Sequence, residues 1–300
     1  MKLLVAGSRG QVARALAEAA ADFDVDLAAL GRPALDLTDP DSIEKAIEKA
    51  APDWVINAAA YTAVDQAEED REAVVAVNHH GAGALAAICG GRNIPLVHLS
   101  TDYVFDGSRK TPYTETDAVA PLGVYGRSKR DGEIAVIAGN PRHLILRTAW
   151  VYSPFGQNFV KTMLRLAETR DELNVVDDQR GCPTYAPHIA RGILRIIAKL
   201  ASGKGEKPPW GIYNMAGGGE TSWCGFAREI FIQSEKLGGA TARVHPITTW
   251  EYPTPARRPA NSRLDCSKLA QVFGVTLPDW RDGTAACVAR LAGDREIQAK

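Results

Sequence analysis

A short apolar run that breaks into a glycine turn and then into an alanine-rich helix leaves few architectures open. Residues 2–6 are such a run, Gly7-Ser8-Arg9-Gly10 is the turn, and residues 11–21 are the helix. Glycine permits positive φ and close backbone approach at such a turn. The amides of Gly10, Gln11 and Val12 then stand at a helix N-terminus, where unpaired donors and the dipole favour an anion. Ala13 replaces the third glycine common in such turns and still allows close helix–strand packing. A tight turn with no ligand is the plainer alternative.

The same rhythm continues. Residues 25–30, 54–58, 94–99 and 143–148 read as strands, and residues 42–50, 65–90 and 125–137 as mostly helical. Alternating strands and helices imply a doubly wound α/β fold of Rossmann type, a parallel sheet covered on both faces. Beyond residue 150 the pattern loosens. Helices are expected over 159–169, 187–200 and 222–237, strands over 174–177 and 211–216, and a loop over 201–209. Pro253, Pro255 and Pro259 mark an extended segment around Arg257 and Arg258. We expect a dinucleotide-binding domain over 1–150 and a smaller C-terminal substrate-binding lobe, mainly 151–300. Elements around 173–216 are expected to return to the first domain.

Composition excludes several classes. The net charge of -1 and the lack of a basic block argue against nucleic acid as a partner. No uninterrupted apolar stretch reaches about 18 residues, so no membrane span or partner membrane is expected. Leu3-Leu4-Val5-Ala6 is too short for a signal peptide before the glycine turn. The 5 cysteines are scattered with no Cys-x-x-Cys, which fits reduced thiols in a cytoplasm and no metal site.

Three residues carry the chemistry. Tyr125-Gly-Arg-Ser-Lys129 puts a phenol and an ammonium on one helix face, and Thr101 ends the apolar run at 94–99. A carbonyl reduced by hydride becomes an alkoxide that needs a proton, and a free tyrosine has a pKa of about 10. Lys129 is expected to lower that pKa and to hold the nicotinamide ribose. Tyr125 is the expected proton donor, and Thr101 the group that positions the substrate oxygen. With the glycine turn, this reads as an enzyme moving a hydride between a nicotinamide cofactor and a carbonyl.

Other cofactor positions follow from strand ends. Arg32, after the second strand, suits the 2′-phosphate of NADPH, with NADH possible and a solvated arginine the alternative. Asp36 and Leu37 can frame the adenine. Small residues at Ala58 and Ala60, with Tyr61 and Thr62, let a flat cofactor lie against the sheet edge, near Leu99. Close helix packing is the competing reason for small residues there.

The chain resembles the extended short-chain dehydrogenase/reductases, and within them the dTDP-4-dehydrorhamnose reductase family. The matching motifs are Gly7-x-x-Gly10-Gln11-Val12, Asn57-Ala-Ala-Ala-x-Thr62-Ala-Val-Asp65, Ser100-Thr101-Asp102-Tyr103-Val104-Phe105, Tyr125-Gly-x-Ser-Lys129 and Arg147-Thr-x-Trp150-Val-Tyr152. They continue through Asn158-Phe159, Asp178-Gln179-x-Gly181-x-Pro183-Thr184 and the segment from Tyr252 to Leu264. The resemblance implies NADPH-dependent reduction of the 4-keto group of dTDP-4-dehydro-L-rhamnose. It places Thr101, Tyr125 and Lys129 at catalytic positions, and Asp102, Trp150, Asn158 and Arg258 against the nucleotide sugar. Some members pair subunits through magnesium held by carboxylates on the first helix and on the helix after the Pro-Thr motif. Here Ala15 and the run Ala186 to Arg191 offer no acids, Glu18 reads as a solvated charge and His188 as a helix histidine. A monomer or a metal-independent homodimer is therefore expected. A sugar-nucleotide 4,6-dehydratase or 4-epimerase is the nearest alternative, although dehydratases carry Thr-Asp-Glu where this chain has Thr101-Asp102-Tyr103. A non-catalytic regulatory subunit, like that of methionine adenosyltransferase, is the other.

Overall fold

The computed structural model describes residues 1–203 and 208–298. In its first half, β1 (Lys2–Ala6), α1 (Gln11–Ala19), β2 (Asp26–Leu30), α2 (Pro40–Ala50) and β3 (Trp54–Asn57) follow one another. Then come α3 (Arg71–Val75), α4 (Ala82–Gly91), β4 (Leu96–Thr101), α5 (Val124–Gly139) and β5 (His143–Thr148). The second half contains β6 (Val151–Tyr152), α6 (Phe159–Ala167), β7 (Glu172–Val176), β8 (Arg180–Gly181), β9 (Thr184–Tyr185), α7 (Ala186–Ala201) and β10 (Gly211–Asn214). It ends with β11 (Thr221–Ser222), α8 (Trp223–Lys236), β12 (Arg243–Ile247), β13 (Asn261–Ser262), α9 (Ser267–Phe273) and α10 (Trp280–Gln298).

Six strands pair in the order β10-β5-β4-β3-β1-β2, all parallel. The doubly wound sheet expected from the strand–helix rhythm is present. Parallel strands are covered on both faces, so they are written as continuous apolar runs; every residue of β5 is buried. One face packs Leu3, Val5, Leu144 and Leu146 against α1 and α7. The other packs Leu4, Val55, Leu96 and Ile145 against α2 and α4. In α2, Asp39 accepts the Asp41 amide as N-cap, Pro40 opens the first turn, and Ile43, Ala46 and Ile47 share the buried face. The chain leaves β1 for β2 on one side and returns to β3 on the other. The crevice beyond the carboxyl ends of β1 and β3 is therefore the topological switch point, where ligands of such sheets bind.

The helical stretch expected over 65–90 is present but interrupted. A 3₁₀ turn (Gln66–Glu68) precedes α3, and a π turn (Ala76–Gly81) joins α3 to α4. The π turn brings Asn78 inward, where its amide donates to the Tyr61 carbonyl and the Ser128 hydroxyl and accepts from the Tyr61 amide. Such bulges recur at functional sites. Residues 71–91 are long and apolar enough for a membrane span by composition, with mean hydropathy 1.3, yet α4 lies directly on α5 here. The α4–α5 contact is too close for a side chain at Gly90, whose Cβ would strike the Gly139 carbonyl, and the π turn lies as close to α5, so that a Cβ on Gly132 would strike the Asn78 carbonyl.

Of the elements over 173–216, β10 joins the main sheet and α7 packs on α1, whereas β7 pairs with β12. A second core gathers Val160, Leu164, Phe226, Ile230 and Val288 from α6, α8 and α10. Within the expected loop 201–209, residues 204–207 lie outside the described residues. The two helices α9 and α10 and the two-residue strands had no counterpart in the sequence reading.

Gly132→Ala should lower stability by about 1–3 kcal/mol, because the contact of α5 with the Asn78 carbonyl of the π turn has no room for a methyl group. Gly91→Ala, whose Cβ would meet nothing within 4 Å, should be nearly neutral. Thermal unfolding of the two variants compares them.

Candidate active site

Gly7 leaves β1 with φ of 107°, and a Cβ there would lie 3.2 Å from the Ala59 amide nitrogen and 3.3 Å from the Ala58 carbonyl carbon. Only glycine keeps this floor open. Gly10 caps α1 with no side-chain bond to the helix, and the first turn carries no acid. The amides at that end are thus unclaimed by side chains and face the switch-point crevice. This cradle fits the pyrophosphate of a dinucleotide. The Val12 side chain is buried, so only its backbone faces the cradle. The Gln11 side chain turns away: its oxygen accepts from Ser153 Oγ (2.8 Å) and Asn158 Nδ2 (3.0 Å), and its nitrogen donates to the Val151 carbonyl.

Arg32 is exposed beyond β2. Asp36 accepts from the Thr38 amide and hydroxyl, and these bonds hold its carboxyl below the usual range. Leu37 is buried beneath the π turn. Ala58, Ala60 and Tyr61 are half-buried and Thr62 exposed along the end of β3. Tyr61 donates to Asp70 at 2.6 Å, and that bond chiefly pushes its phenol up to about 12.

The β4 end and the start of α5 bring Thr101 and Tyr125 together, with a Thr101 hydrogen bond to the phenol that favours phenolate. Burial outweighs it and, with Asp102 adding to the same direction, pushes Tyr125 up to about 12. The expected lowering by Lys129 is not found. Lys129 Nζ instead donates to the Leu99 carbonyl at 2.7 Å and lies 3.4 Å from His98 Nε2. Burial brings Lys129 itself down to about 8, against an opposing pull from Glu133. Beneath this cluster, Arg147 forks onto Glu133 at 2.9 and 2.7 Å, and Ser100 donates to Glu133 at 2.5 Å. Both partners of the pair are almost fully buried, with side-chain exposures of 3% and 4%.

Asp102 is buried, accepts from Thr101 Oγ1 at 3.0 Å, has the Ser262 hydroxyl favouring its charged form, and among the described residues Oδ2 has no hydrogen-bond partner of its own. Burial pushes its carboxyl up to about 6. A cavity of about 660 Å³ lies on the lobe side, lined among others by Phe159, Gln179, Trp223, Tyr252, Asp65 and Arg258. Neither Tyr125 nor Thr101 lines it. Arg258 links the two regions, because its charge reaches Tyr103, which meets Tyr125 edge-on at 5.7 Å. Arg258 is held by Asp65 at 2.7 Å, and its buried Nε has no partner among the described residues.

Two residues expected at the substrate have other partners. Trp150, at φ of 47°, lies on Gly181 and stacks on Trp223 with ring centroids 3.6 Å apart. Trp223 is the ring that reaches the cavity. Asn158 caps α6 through Lys161 and spends its amide on Gln11, Ser153 and Phe155. Glu18 is likewise no bare charge but forks with Arg290 of α10 at 2.7 Å.

A family model described as RmlD substrate binding domain matches residues 1–292. The chain is 50% identical over 291 residues to a dTDP-4-dehydrorhamnose reductase of Sinorhizobium fredii, covering 97% of this chain and 98% of that one. The chain belongs to the dTDP-4-dehydrorhamnose reductase family of oxidoreductases. Among solved structures, a dTDP-4-dehydrorhamnose reductase from Clostridium acetobutylicum superposes with a TM-score of 0.89 at 38% identity, covering 97% of this chain and 99% of that one. One from Bacillus anthracis, in complex with NADP, gives 0.88 at 32%, covering 96% and 99%.

Within this reductase fold, three site residues escaped the sequence reading. Asn78 ties the end of β3 to α5 through a π turn that leaves no periodic mark. Trp223 follows an ordinary Ser222 N-cap. His98 sat in plain view on β4, but nothing local tells a core histidine from one beneath a functional lysine.

Asp102 supplies a pH test. Burial places it at about 6, above the ordinary aspartate value of 3.8, so folding takes up a proton between those values and its ionised form is unfavourable above them. Asp102→Asn should be more stable than the parent at pH 7.5, and the gain should shrink toward pH 4.5. Urea unfolding at both values measures it.

Proposed function

We propose that the chain reduces the 4-keto group of dTDP-4-dehydro-L-rhamnose with NADPH, giving dTDP-L-rhamnose. The observation that carries this reading is the meeting of Thr101, Tyr125 and Asp102 at the end of β4, two strands from the glycine turn that follows β1. The family supports it, as does Tyr103 at the position where dehydratases carry an acid.

NADPH, when bound, supplies the hydride for the carbonyl carbon. On this proposal Gly7, Gly10 and the amides of Gln11 and Val12 receive its pyrophosphate, and Arg32 its 2′-phosphate, with NADH a weaker alternative. Asp36 and Leu37 flank the adenine. Ala58, Ala60, Tyr61, Thr62 and Leu99 line the edge along which the cofactor lies, and Lys129 takes the ribose hydroxyls. Tyr125 gives its proton to the nascent alkoxide. A phenol pushed up to about 12 stays protonated near neutrality yet remains more acidic than a secondary alcohol, so the transfer runs downhill. Thr101 then turns its hydroxyl proton from Asp102 to the phenolate left behind, and Asp102 Oδ2 is open to a sugar hydroxyl. Trp223, backed by Trp150, and Arg258 serve the nucleotide end in the cavity; Asn158 acts indirectly, by holding Gln11 and the turn before α6.

We place the enzyme in the cytoplasm, in keeping with five unpaired cysteines, as a monomer or a metal-independent homodimer. The division into a cofactor domain over 1–150 and a substrate lobe mainly over 151–300 is part of this proposal.

Tyr125→Phe should lower kcat by about 10²-fold or more, the scale of general acid catalysis, while NADPH still binds. Turnover within a few fold of the parent would remove Tyr125 from the role. Arg32→Asp should erode the preference for NADPH over NADH; steady-state rates with both cofactors read it, and an unchanged ratio would discard the assignment.

A further inference from the structure

His98 lies beneath Lys129 on β4, fully enclosed, and nothing in the chemistry above uses it. Its Nδ1 lies 3.1 Å from Asn57 Nδ2, and its Nε2 lies 3.4 Å from Lys129 Nζ. The Asn57 amide is oriented by its oxygen, which accepts the Ala59 backbone N–H at 3.2 Å. The Asn57 nitrogen therefore faces His98, and an amide nitrogen only donates. His98 Nδ1 must be the acceptor. A neutral imidazole with a bare Nδ1 carries its proton on Nε2, pointed at Lys129.

We propose that His98 is a positioning residue which, with its tautomer set by Asn57, presents an N–H to Lys129 and so favours the uncharged amine. An ammonium offers only donors and meets this N–H as a repulsive neighbour. A free amine accepts it and still donates to the Leu99 carbonyl, so every polar atom is satisfied. Burial acts in the same sense on both groups: it holds His98 well below its ordinary range, with Lys129 and His143 adding to the effect, and brings Lys129 down to about 8. The other charged and titratable groups around Lys129 are few. Glu133, one turn along α5 and paired with Arg147 of β5, favours the ammonium. Tyr125 shares its helix, Asp102 and Tyr103 follow β4, and Glu68 meets the α5 N-terminus through the Val124 amide. His98 is the one that opposes the charge by hydrogen-bond polarity. Asn57, at the end of β3 beside the cofactor edge, thus reaches the lysine through the histidine.

The consequence for catalysis rests on the reductase reading above: the ammonium has one more N–H than the amine to give to the ribose hydroxyls, so turnover falls as pH rises through the pKa of Lys129, and His98 sets where that fall begins. Nitrogen-15 spectra of histidine-labelled protein at pH 7, with His98 assigned by its loss in His98→Gln, test the tautomer without any turnover. Nδ1 should show the shift of a bare ring nitrogen and Nε2 that of a protonated one; a protonated Nδ1, or an imidazolium, overturns the proposal. Two variants test the effect on Lys129. Asn57→Asp would accept from Nδ1–H and reverse the tautomer, and His98→Gln can turn its carbonyl oxygen to the ammonium. Both should move the alkaline limb of the kcat profile upward, by about one pH unit. A lowered kcat with an unmoved limb would mean that His98 only packs. Should the variants fail to fold, the parent spectrum still decides the tautomer. Should the parent not oxidise NADPH with the dTDP-4-keto sugar, the reductase reading fails while the tautomer result stands on its own.

Discussion

The buried pair between Arg147 and Glu133 holds together the strand end and the helix that carry Thr101, Tyr125 and Lys129. It joins β5 to α5, and Ser100 of β4 bonds the same carboxylate. Thr101 follows Ser100 directly, and Lys129 sits one turn before Glu133. The pair therefore fixes the strand end that carries the hydroxyl against the helix that carries the phenol and the amine. Buried ion pairs contribute little net stability against apolar packing, yet leaving one partner alone costs about 3–5 kcal/mol. Such a constraint is suited to setting geometry. The glycines of α4 and α5 act in the same direction, because they let α5 approach until the Asn78 carbonyl touches its backbone.

Charge behaves differently inside this cluster than sequence spacing suggests. Four residues between a tyrosine and a lysine imply an ammonium beside a phenol. In the folded chain desolvation is the largest influence on both groups, raising the phenol and lowering the amine. The lysine spends its hydrogen bonds on Leu99 and His98, and the phenol on Thr101. Thr101 and Asp102 are then the immediate electrical environment of Tyr125, with opposite signs. A protonated phenol is what proton donation requires, so the proposed mechanism does not need a tyrosine made acidic in advance.

The sequence was most readable where periodicity is strong. The βαβ half shows its strands because parallel strands buried on both faces must be apolar throughout, and the glycine turn marks the switch point because no other residue fits there. Thr101 and Tyr125 were legible from their place after β4. What escaped has a common cause: it is set by partners far along the chain. The short strands β6, β8, β9, β11 and β13 have two residues each and carry no pattern. Helix α10 mixes charged and small residues around its circumference, so its buried Cys287 and Val288 do not stand out. Trp150 looked like a substrate platform, but Trp223, 73 positions on, covers its face. Glu18 looked solvated until Arg290, 272 positions away, closed on it.

The central claim is that a buried, protonated Tyr125 and the Thr101 hydroxyl converge on the oxygen that is being reduced. A crystal structure of the chain with NADPH and a dTDP-4-keto sugar, or an unreactive analogue, measures this directly. The account predicts the sugar C4 oxygen within about 3 Å of both the Tyr125 and the Thr101 hydroxyls. A C4 oxygen held away from Tyr125, with another side chain in proton-donating reach, would contradict it.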